Sequence, residues 1–270
     1  MKIDFAKKTL IMGILNVTPD SFSDGGKYTF LEQAIAHAKK MAADGADIID
    51  VGGESTRPGY IQVSTEEEIR RIVPVIKALA EELEILISID TYKAEVAEAA
   101  MAAGAHIIND IWGAKYDSEI AKVAARWKAP IILMHNRNDT SYVNFWEDIQ
   151  RDMAESVKIA LDAGIEQEQI WLDPGIGFGK TTAQNIEMMQ HLEQFVSLGY
   201  PVLLGTSRKS VVGKVLNLPV AERLEGSLAT ACYGVEKGCH IVRVHDVKET
   251  SRAIGMIDVL TGKRKYEEAD

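Results

Sequence analysis

Apolar residues are concentrated in eight short runs along this chain of 270 residues, and each run stops at or near a polar side chain able to do chemistry. A strand buried on both faces should be rich in Val, Ile and Leu throughout, so polar groups collected at one end need an explanation. A (β/α)8 barrel supplies one, because the C-terminal ends of its strands and the loops after them build the active site. The runs are residues 10–16, 47–54, 86–90, 106–109, 130–135, 170–173, 201–207 and 240–245.

The segments between these runs have the spacing of amphipathic helices. In residues 69–79, for example, apolar side chains recur every three or four positions. Thr65, followed three residues later by Glu68, predicts a capping box that opens this helix. Gly104 predicts the end of the helix after the third run.

Strand followed by helix, repeated eight times in one chain of this length, predicts a single (β/α)8 TIM barrel domain spanning residues 1–270. A doubly wound open sheet is the competing topology. It usually has a glycine-rich turn of the G-x-G-x-x-G type after its first strand. Here the first strand runs into the sequence NVTPD at residues 16–20, which cannot form that turn. The barrel is therefore favoured.

Composition narrows the functional classes. The formal charge of −10 argues against general nucleic-acid binding, which requires a basic face that neutralises phosphates. The two cysteines, Cys232 and Cys239, have neither the spacing of a zinc site nor that of a disulfide framework. No apolar run approaches the length of a membrane span, and the first residues contain no apolar segment of a signal peptide. We expect a cytoplasmic protein without a membrane partner.

Four polar residues at strand ends are candidates for binding a ligand. Asn16 has an amide oxygen that could help to hold a hard cation at the mouth of the barrel. Asp90, Asn109 and Asp173 follow three other runs, and each of them alone is more often a helix cap. Together at one mouth, two carboxylates and an amide suit a flat heterocycle that presents N–H donors side by side. They do not resemble a metal cage of three or four carboxylates.

The last two runs end in a cluster of cationic groups, which is where this barrel commonly binds phosphate. The segments are GTSRKS at residues 205–210 and RVHD at residues 243–246. A plain surface charge cluster is the alternative, and Lys209 could also be the Schiff-base lysine of an aldolase. The segment DPGIGFGKT at 173–181 is not a P-loop, because Pro174 stands where that motif needs glycine. It predicts a loop that closes over a ligand, with Phe178 against a ring.

These segments, taken in order, resemble the dihydropteroate synthase family along nearly the whole chain. The matching segments are GILNVTPDSFSDGG at 13–26, DVGGESTRPG at 50–59, SIDTYK at 88–93, NDIWG at 109–113, LMHN at 133–136, LDPGIGFGK at 172–180, SRKS at 207–210 and RVHDV at 243–247. The resemblance implies a barrel that condenses (7,8-dihydropterin-6-yl)methyl diphosphate with 4-aminobenzoate to 7,8-dihydropteroate and pyrophosphate. It also implies dependence on Mg²⁺, a homodimer and sensitivity to sulfonamides.

The resemblance assigns roles to residues by their positions in these motifs. The catalytic group is Asp24, Arg57, Lys209, Arg243 and His245. The pterin would contact Asp90, Asn109, Met134, Asp173 and Lys209. The diphosphate would lie against Arg243 and His245, with Mg²⁺ at Asn16. The 4-aminobenzoate pocket would comprise Thr56, Arg57, Pro58, Phe178 and Ser210. From these roles, Arg243→Ala is expected to abolish turnover and to leave the protein folded.

Three other functions compete with this interpretation. A methyltetrahydrofolate-dependent methyltransferase shares a pterin-binding barrel but needs neither a cluster of cations nor a Mg²⁺ ligand. A non-catalytic pterin-binding paralogue should have lost loop residues such as Asp24 and Arg57, which are present here. The aldolase interpretation requires an imine at Lys209, which borohydride would trap.

Overall fold

The computed structural model describes residues 3–18, 27–54 and 62–266, and within these ranges the chain forms eight strands and ten α-helices. The strands are β1 (Leu10–Asn16), β2 (Ile48–Gly52), β3 (Leu86–Asp90), β4 (Ile107–Asp110), β5 (Ile131–Met134), β6 (Ile170–Asp173), β7 (Leu203–Leu204) and β8 (Ile241–Val244). The helices are α1 (Lys27–Ala43), α2 (Thr65–Glu82), α3 (Ala94–Ala102), α4 (Glu119–Trp127), α5 (Phe145–Asp162), α6 (Thr182–Gln190), α7 (Leu192–Val196), α8 (Ser210–Leu216), α9 (Leu224–Glu236) and α10 (Val247–Leu260). Among the helices described, none is both long enough and apolar enough to cross a bilayer.

The strands form one parallel sheet that curls into a nearly closed barrel. Their order is β6-β5-β4-β3-β2-β1-β8-β7, so β6 and β7 are the two edges. These edges meet where Leu172 bridges Val202, and the Leu172 N–H donates to the carbonyl of Pro201 at 2.8 Å. The connection from each strand to the next contains at least one helix, as a parallel barrel requires. The predicted (β/α)8 fold is confirmed.

Alternate side chains of each strand face the helices, and these side chains build the main core. Ile49 and Val51 of β2 and Ile87 and Ile89 of β3 are fully buried, and they belong to one cluster with Ile72 of α2. β-Branched residues suit such strands because their stiff side chains pack well on a pleated surface. The helices therefore cover the outer face of these strands.

The lower half of the barrel interior is a separate apolar cluster. It comprises Leu10, Met12, Ile48, Ile107, Ile132, Trp171, Leu203 and Ile241, all buried. Phe5 packs edge-on against Trp171 with ring centroids 5.3 Å apart and covers this cluster from the N-terminal side of the strands. The barrel is therefore closed at the bottom and can accept a ligand only from the C-terminal ends of its strands.

The upper half of the interior is polar because the inward alternation continues with charged and amide residues. Asp50 lies two residues beyond the inward-facing Ile48 and is in register with Ser88 of β3. Asp90 is likewise in register with Asn109 of β4. Since side chains two positions apart point to the same face of a strand, these groups share the interior. The polar strand ends that the sequence indicated thus converge on one space.

The start of α2 differs from the prediction. The helix begins at Thr65, but its cap is Ser64, whose hydroxyl accepts a hydrogen bond from the Glu67 N–H. The capping box predicted from Thr65 and Glu68 is therefore wrong. Glu68 instead accepts a hydrogen bond from Lys93 at 2.7 Å and is buried. A buried carboxylate needs a cation, which explains why this side chain turns inward rather than back to the cap.

The cap gives a stability prediction. Ser64→Ala should lower the free energy of unfolding by about 1 kcal/mol, because the Glu67 N–H loses its acceptor. Thr65→Ala is the matched control and should change stability by less than about 0.5 kcal/mol. Urea unfolding of both variants makes the comparison. A larger loss in Thr65→Ala than in Ser64→Ala would contradict this position of the cap.

Candidate active site

A cavity of about 340 Å³ opens at the C-terminal ends of the strands. It brings together nine of the residues singled out from the sequence, which come from β1, β4, β5, β6, β8, the loops after β6, β7 and β8, and the start of α8. These residues are Asn16, Asn109, Met134, Asp173, Phe178, Lys209, Ser210, Arg243 and His245.

Five candidate residues remain. Asp90 is buried beneath the cavity and contacts it only through Arg243. Asp24, Thr56, Arg57 and Pro58 lie outside the described residues.

Apolar side chains form the walls of the cavity. Met134 and Ile111 pack with Tyr92 in a small cluster that is separate from the main core, and Phe178 packs against this cluster. Ile14 lines the cavity as well. Such walls favour a flat aromatic or heteroaromatic ring, because they exclude water from both of its faces.

Asp173 and Asn109 provide hydrogen-bond acceptors at the inner edge of the cavity. One carboxylate oxygen of Asp173, Oδ1, accepts from the Gly175 N–H at 2.7 Å. Burial raises the pKa of Asp173, while the nearby charge of Lys209 works in the opposite direction. The amide nitrogen of Asn109 donates to Asp50 Oδ2 at 3.1 Å. Both groups are held from behind, so that their positions do not depend on a ligand.

Lys209 lies beside Asp173 at the cavity wall. Its ammonium donates to the carbonyl of Ile176 at 2.5 Å and lies 4.9 Å from the centre of the Phe178 ring. Burial lowers the pKa of Lys209 to about 8, although the charge of Asp173 opposes the shift. At neutral pH the group is still mainly protonated and can donate to a ligand carbonyl.

Arg243 enters the barrel interior from β8 and is held by two carboxylates. Its Nε donates to Asp50 Oδ2 at 2.6 Å, and its Nη2 donates to Asp90 Oδ2 at 2.6 Å. Burial opposes the charged guanidinium, but the two carboxylates outweigh burial and raise the pKa of Arg243. The guanidinium therefore reaches the cavity as a fixed and permanent cation rather than as a mobile arm.

His245 and Ser207 form a second polar contact at the end of β8. The Ser207 hydroxyl oxygen accepts from the backbone N–H of His245 at 3.1 Å and lies 3.0 Å from its Nδ1.

Arg208, next to Ser207, was predicted from the sequence to belong to the cationic cluster, but it is paired with an acidic residue. Its guanidinium is paired with Asp246, at 2.9 Å from Nε and 2.5 Å from Nη2, so its charge is largely compensated.

Comparison with known proteins shows the family. The model of the family described as "Pterin binding enzyme" matches residues 12–245. A dihydropteroate synthase of Clostridium beijerinckii is 59% identical over 260 residues, which is 96% of this chain and 97% of that protein. This chain belongs to the dihydropteroate synthase family.

Two solved structures of dihydropteroate synthases extend the comparison. The enzyme from Clostridium difficile, crystallised in the presence of pteroic acid, superposes with a TM-score of 0.94 at 52% identity, covering 96% of this chain and 99% of that one. The enzyme from Xanthomonas albilineans with 4-aminobenzoic acid superposes with a TM-score of 0.90 at 40% identity, covering 95% and 94% of the two chains.

The loop after β6 is held in place by Lys180, a residue that was not singled out from the sequence. The ammonium of Lys180 contacts His135 Nδ1 at 2.8 Å and the carbonyls of Gly175 and Phe178 at 3.0 and 3.1 Å. These are three acceptors for three N–H donors. In the sequence, Lys180 stood in a failed P-loop motif and in a segment that resembles the family, and neither gave a hint of a partner next to β5.

The loop can come this close only because position 175 is glycine. Gly175 has φ +66°, and a Cβ there would lie 1.9 Å from the carbonyl oxygen of His135. The imidazole of His135 lies 3.0 Å from Asp152 through its other nitrogen. Burial lowers the pKa of His135 to about 4, which keeps the ring neutral, with Nδ1 as an acceptor and Nε2 as the donor to Asp152.

The ion pairs of Arg243 mean that a substitution at this position should lower the stability of the protein. From the sequence, Arg243→Ala was expected only to leave the protein folded. Since the variant would leave Asp50 and Asp90 buried without their cation, we expect it to lose roughly 3–5 kcal/mol of unfolding free energy. Arg208→Ala is the control, and with its partly exposed pair it should lose no more than about 1 kcal/mol. Equal losses in urea unfolding would contradict the central role of the Arg243 pairs.

Proposed function

We propose that this chain condenses (7,8-dihydropterin-6-yl)methyl diphosphate with 4-aminobenzoate, giving 7,8-dihydropteroate and pyrophosphate. The observation that carries the proposal is one cavity in which Asp173 and Asn109 offer acceptors, Lys209 offers a donor, and Arg243 and His245 lie at the end of β8. The relatives crystallised with pteroic acid and with 4-aminobenzoic acid support it, because those ligands correspond to the joined product and to one substrate.

The pterin ring fits the chemistry of the inner cavity. Its amino group and ring N–H would donate to Asp173 and Asn109, and its carbonyl oxygen would accept from Lys209. Met134 and Phe178 would contact the ring itself. This arrangement leaves the methylene carbon and the diphosphate directed towards the mouth, near Arg243 and His245.

The residues at the mouth also fit a magnesium ion that is brought by the diphosphate. Asn16 lines the cavity with an amide oxygen, and the described residues contain no group of three or more His, Cys, Asp or Glu side chains suited to hold a metal. Mg²⁺ commonly keeps several waters and combines few protein ligands with substrate phosphates. Asn16 would hold it, and the bound ion would neutralise charge on the diphosphate oxygens.

The chemical step needs charge stabilisation rather than a general base. The bond between the methylene carbon and the diphosphate oxygen breaks, and its electron pair leaves with pyrophosphate. Arg243 and His245 would stabilise the charge that grows on this leaving group. The neutral amine of 4-aminobenzoate then forms the new C–N bond and releases a proton to water.

The remaining assigned residues concern the second substrate. Phe178 and Ser210, which line the cavity, would contact the 4-aminobenzoate ring and its carboxylate. Thr56, Arg57 and Pro58 would complete this pocket, and Asp24 would counter the transient positive charge on the pterin. These four roles rest on the resemblance of the motifs.

We also propose, on the same resemblance, that the chain forms a homodimer and works in the cytoplasm. Light scattering coupled to size-exclusion chromatography tests the first point, since a dimer has twice the mass of the chain. A monomer at micromolar concentration would contradict it.

The direct test of function is an assay of both products. Purified protein, the pterin diphosphate, Mg²⁺ and 4-aminobenzoate should yield dihydropteroate and pyrophosphate in equal amounts, and a chelator should stop the reaction. Sulfanilamide should compete with 4-aminobenzoate. Binding of the pterin diphosphate without either product would contradict the proposal and would favour a pterin-binding protein without catalysis.

The leaving-group role gives a second prediction. His245→Gln should lower kcat about 10²-fold, because a group that stabilises the departing diphosphate is lost, while the affinity for the pterin ring should hardly change. His37→Gln, on the exposed side of α1, is the control and should turn over normally. Steady-state kinetics and titration calorimetry separate the two effects. A loss of pterin affinity with unchanged kcat would contradict the role.

A further inference from the structure

We propose that Asp50, which lies beneath the cavity, is a positioning residue that determines selectivity for pterin by fixing the orientation of the Asn109 amide. Asp50 is in the middle of β2, is fully buried, and does not line the cavity. It therefore acts through other residues. The inference rests on the proposed function, because it concerns how the same cavity selects its pterin substrate.

The contact between the two side chains decides which atom of the amide faces the ligand. Asn109 Nδ2 lies 3.1 Å from Asp50 Oδ2. An ionised carboxylate only accepts hydrogen bonds, so the nitrogen of the amide must be the atom that faces it. A flipped amide would put two oxygens in contact at this distance. The oxygen Oδ1 of Asn109 is consequently the atom that is left for a ligand.

A second contact holds the carboxylate in place. The same Asp50 Oδ2 accepts from Arg243 Nε at 2.6 Å, and Arg243 is a donor under all conditions. Two donors thus converge on one oxygen. Arg243 is fixed in turn by Asp90 at 2.6 Å, so that Asp50 cannot rotate away without breaking a buried ion pair.

The consequence is a cavity edge made only of acceptors. Asp173 contributes a carboxylate and Asn109 contributes its amide oxygen. This edge matches the 2-amino group and the ring N–H of a pterin. It rejects lumazine, the analogue with a carbonyl oxygen in place of the 2-amino group, because acceptor would face acceptor. An amide free to flip would donate to lumazine and reduce that discrimination.

The test compares two substitutions of similar size at position 50. Asp50→Leu removes the acceptor and should lower the ratio of pterin to lumazine affinity by about tenfold or more, since Asn109 can then present either atom. Asp50→Asn removes the charge but not the acceptor. Because Arg243 Nε is a donor, it should orient the new amide so that its oxygen occupies the site of Asp50 Oδ2. That variant should therefore retain the ratio of the wild type, whatever its stability. Titration calorimetry with pterin and lumazine measures both affinities.

Exchanging the residues at positions 50 and 109 tests the orientation of the amide without Asp50→Leu, in case that variant does not fold. Asn109→Asp alone sets two carboxylates against each other and should weaken pterin binding at least tenfold. Asp50→Asn combined with Asn109→Asp restores an amide–carboxylate pair and still presents an acceptor to the ligand. The double variant should recover most of the lost affinity. Circular dichroism and urea unfolding establish that each protein measured is folded.

Two results would overturn the inference. One is an unchanged pterin-to-lumazine ratio in Asp50→Leu, and the other is a double variant as weak as Asn109→Asp. A third result would also contradict the inference. If Asp50→Leu and Asp50→Asn lost selectivity equally, the cause would be the lost charge that balances Arg243 and not the orientation of the Asn109 amide. Wild-type protein that binds pterin and forms both products keeps the proposed function intact in each of these cases.

Discussion

The ion pairs that Arg243 makes with Asp50 and Asp90 determine how the upper half of this barrel is organised. A guanidinium inside a barrel is costly unless carboxylates compensate it, and here both partners lie within 2.6 Å. The three side chains come from β8, β2 and β3, so their contacts span the barrel interior. The apolar cluster below them keeps water out, which strengthens these interactions. Residues above them, such as Asn109, take their orientation from this layer.

A buried basic side chain with defined partners also holds the loop after β6. Lys180 is buried and satisfies its three donors on His135 and on two carbonyls of the loop, which fixes the backbone around Phe178 and next to Asp173. In both places a buried basic side chain with defined partners positions a residue that faces the ligand. A dihydropteroate synthase that binds a flat ring gains from such rigidity, because acceptors and donors already in position lose little entropy when the ligand binds.

The sequence predicted the barrel and most of the cavity because strand ends in this fold share one mouth, so that position along the chain implies position in space. It could not predict partners across the interior. Asp50 looked like one polar residue in an apolar run, and its contact with Arg243 joins residues 193 positions apart. The sequence also could not decide which residue caps α2. Ser64 and Thr65 both precede a glutamate by three residues, and the structure shows that Ser64 is the cap. Arg208 was grouped with the anion-binding cations, although its own strand-end neighbour compensates it.

A crystal structure of the protein with the pterin diphosphate bound would show directly whether the buried ion pairs and the Asn109 amide orient the ligand. We expect the amino edge of the pterin to contact Asp173 and Asn109 Oδ1, the diphosphate to lie beside His245, and Arg243 still to pair with Asp50 and Asp90. A pterin bound with its carbonyl against Asn109, or an Arg243 that leaves both carboxylates to follow the diphosphate, would contradict this expectation.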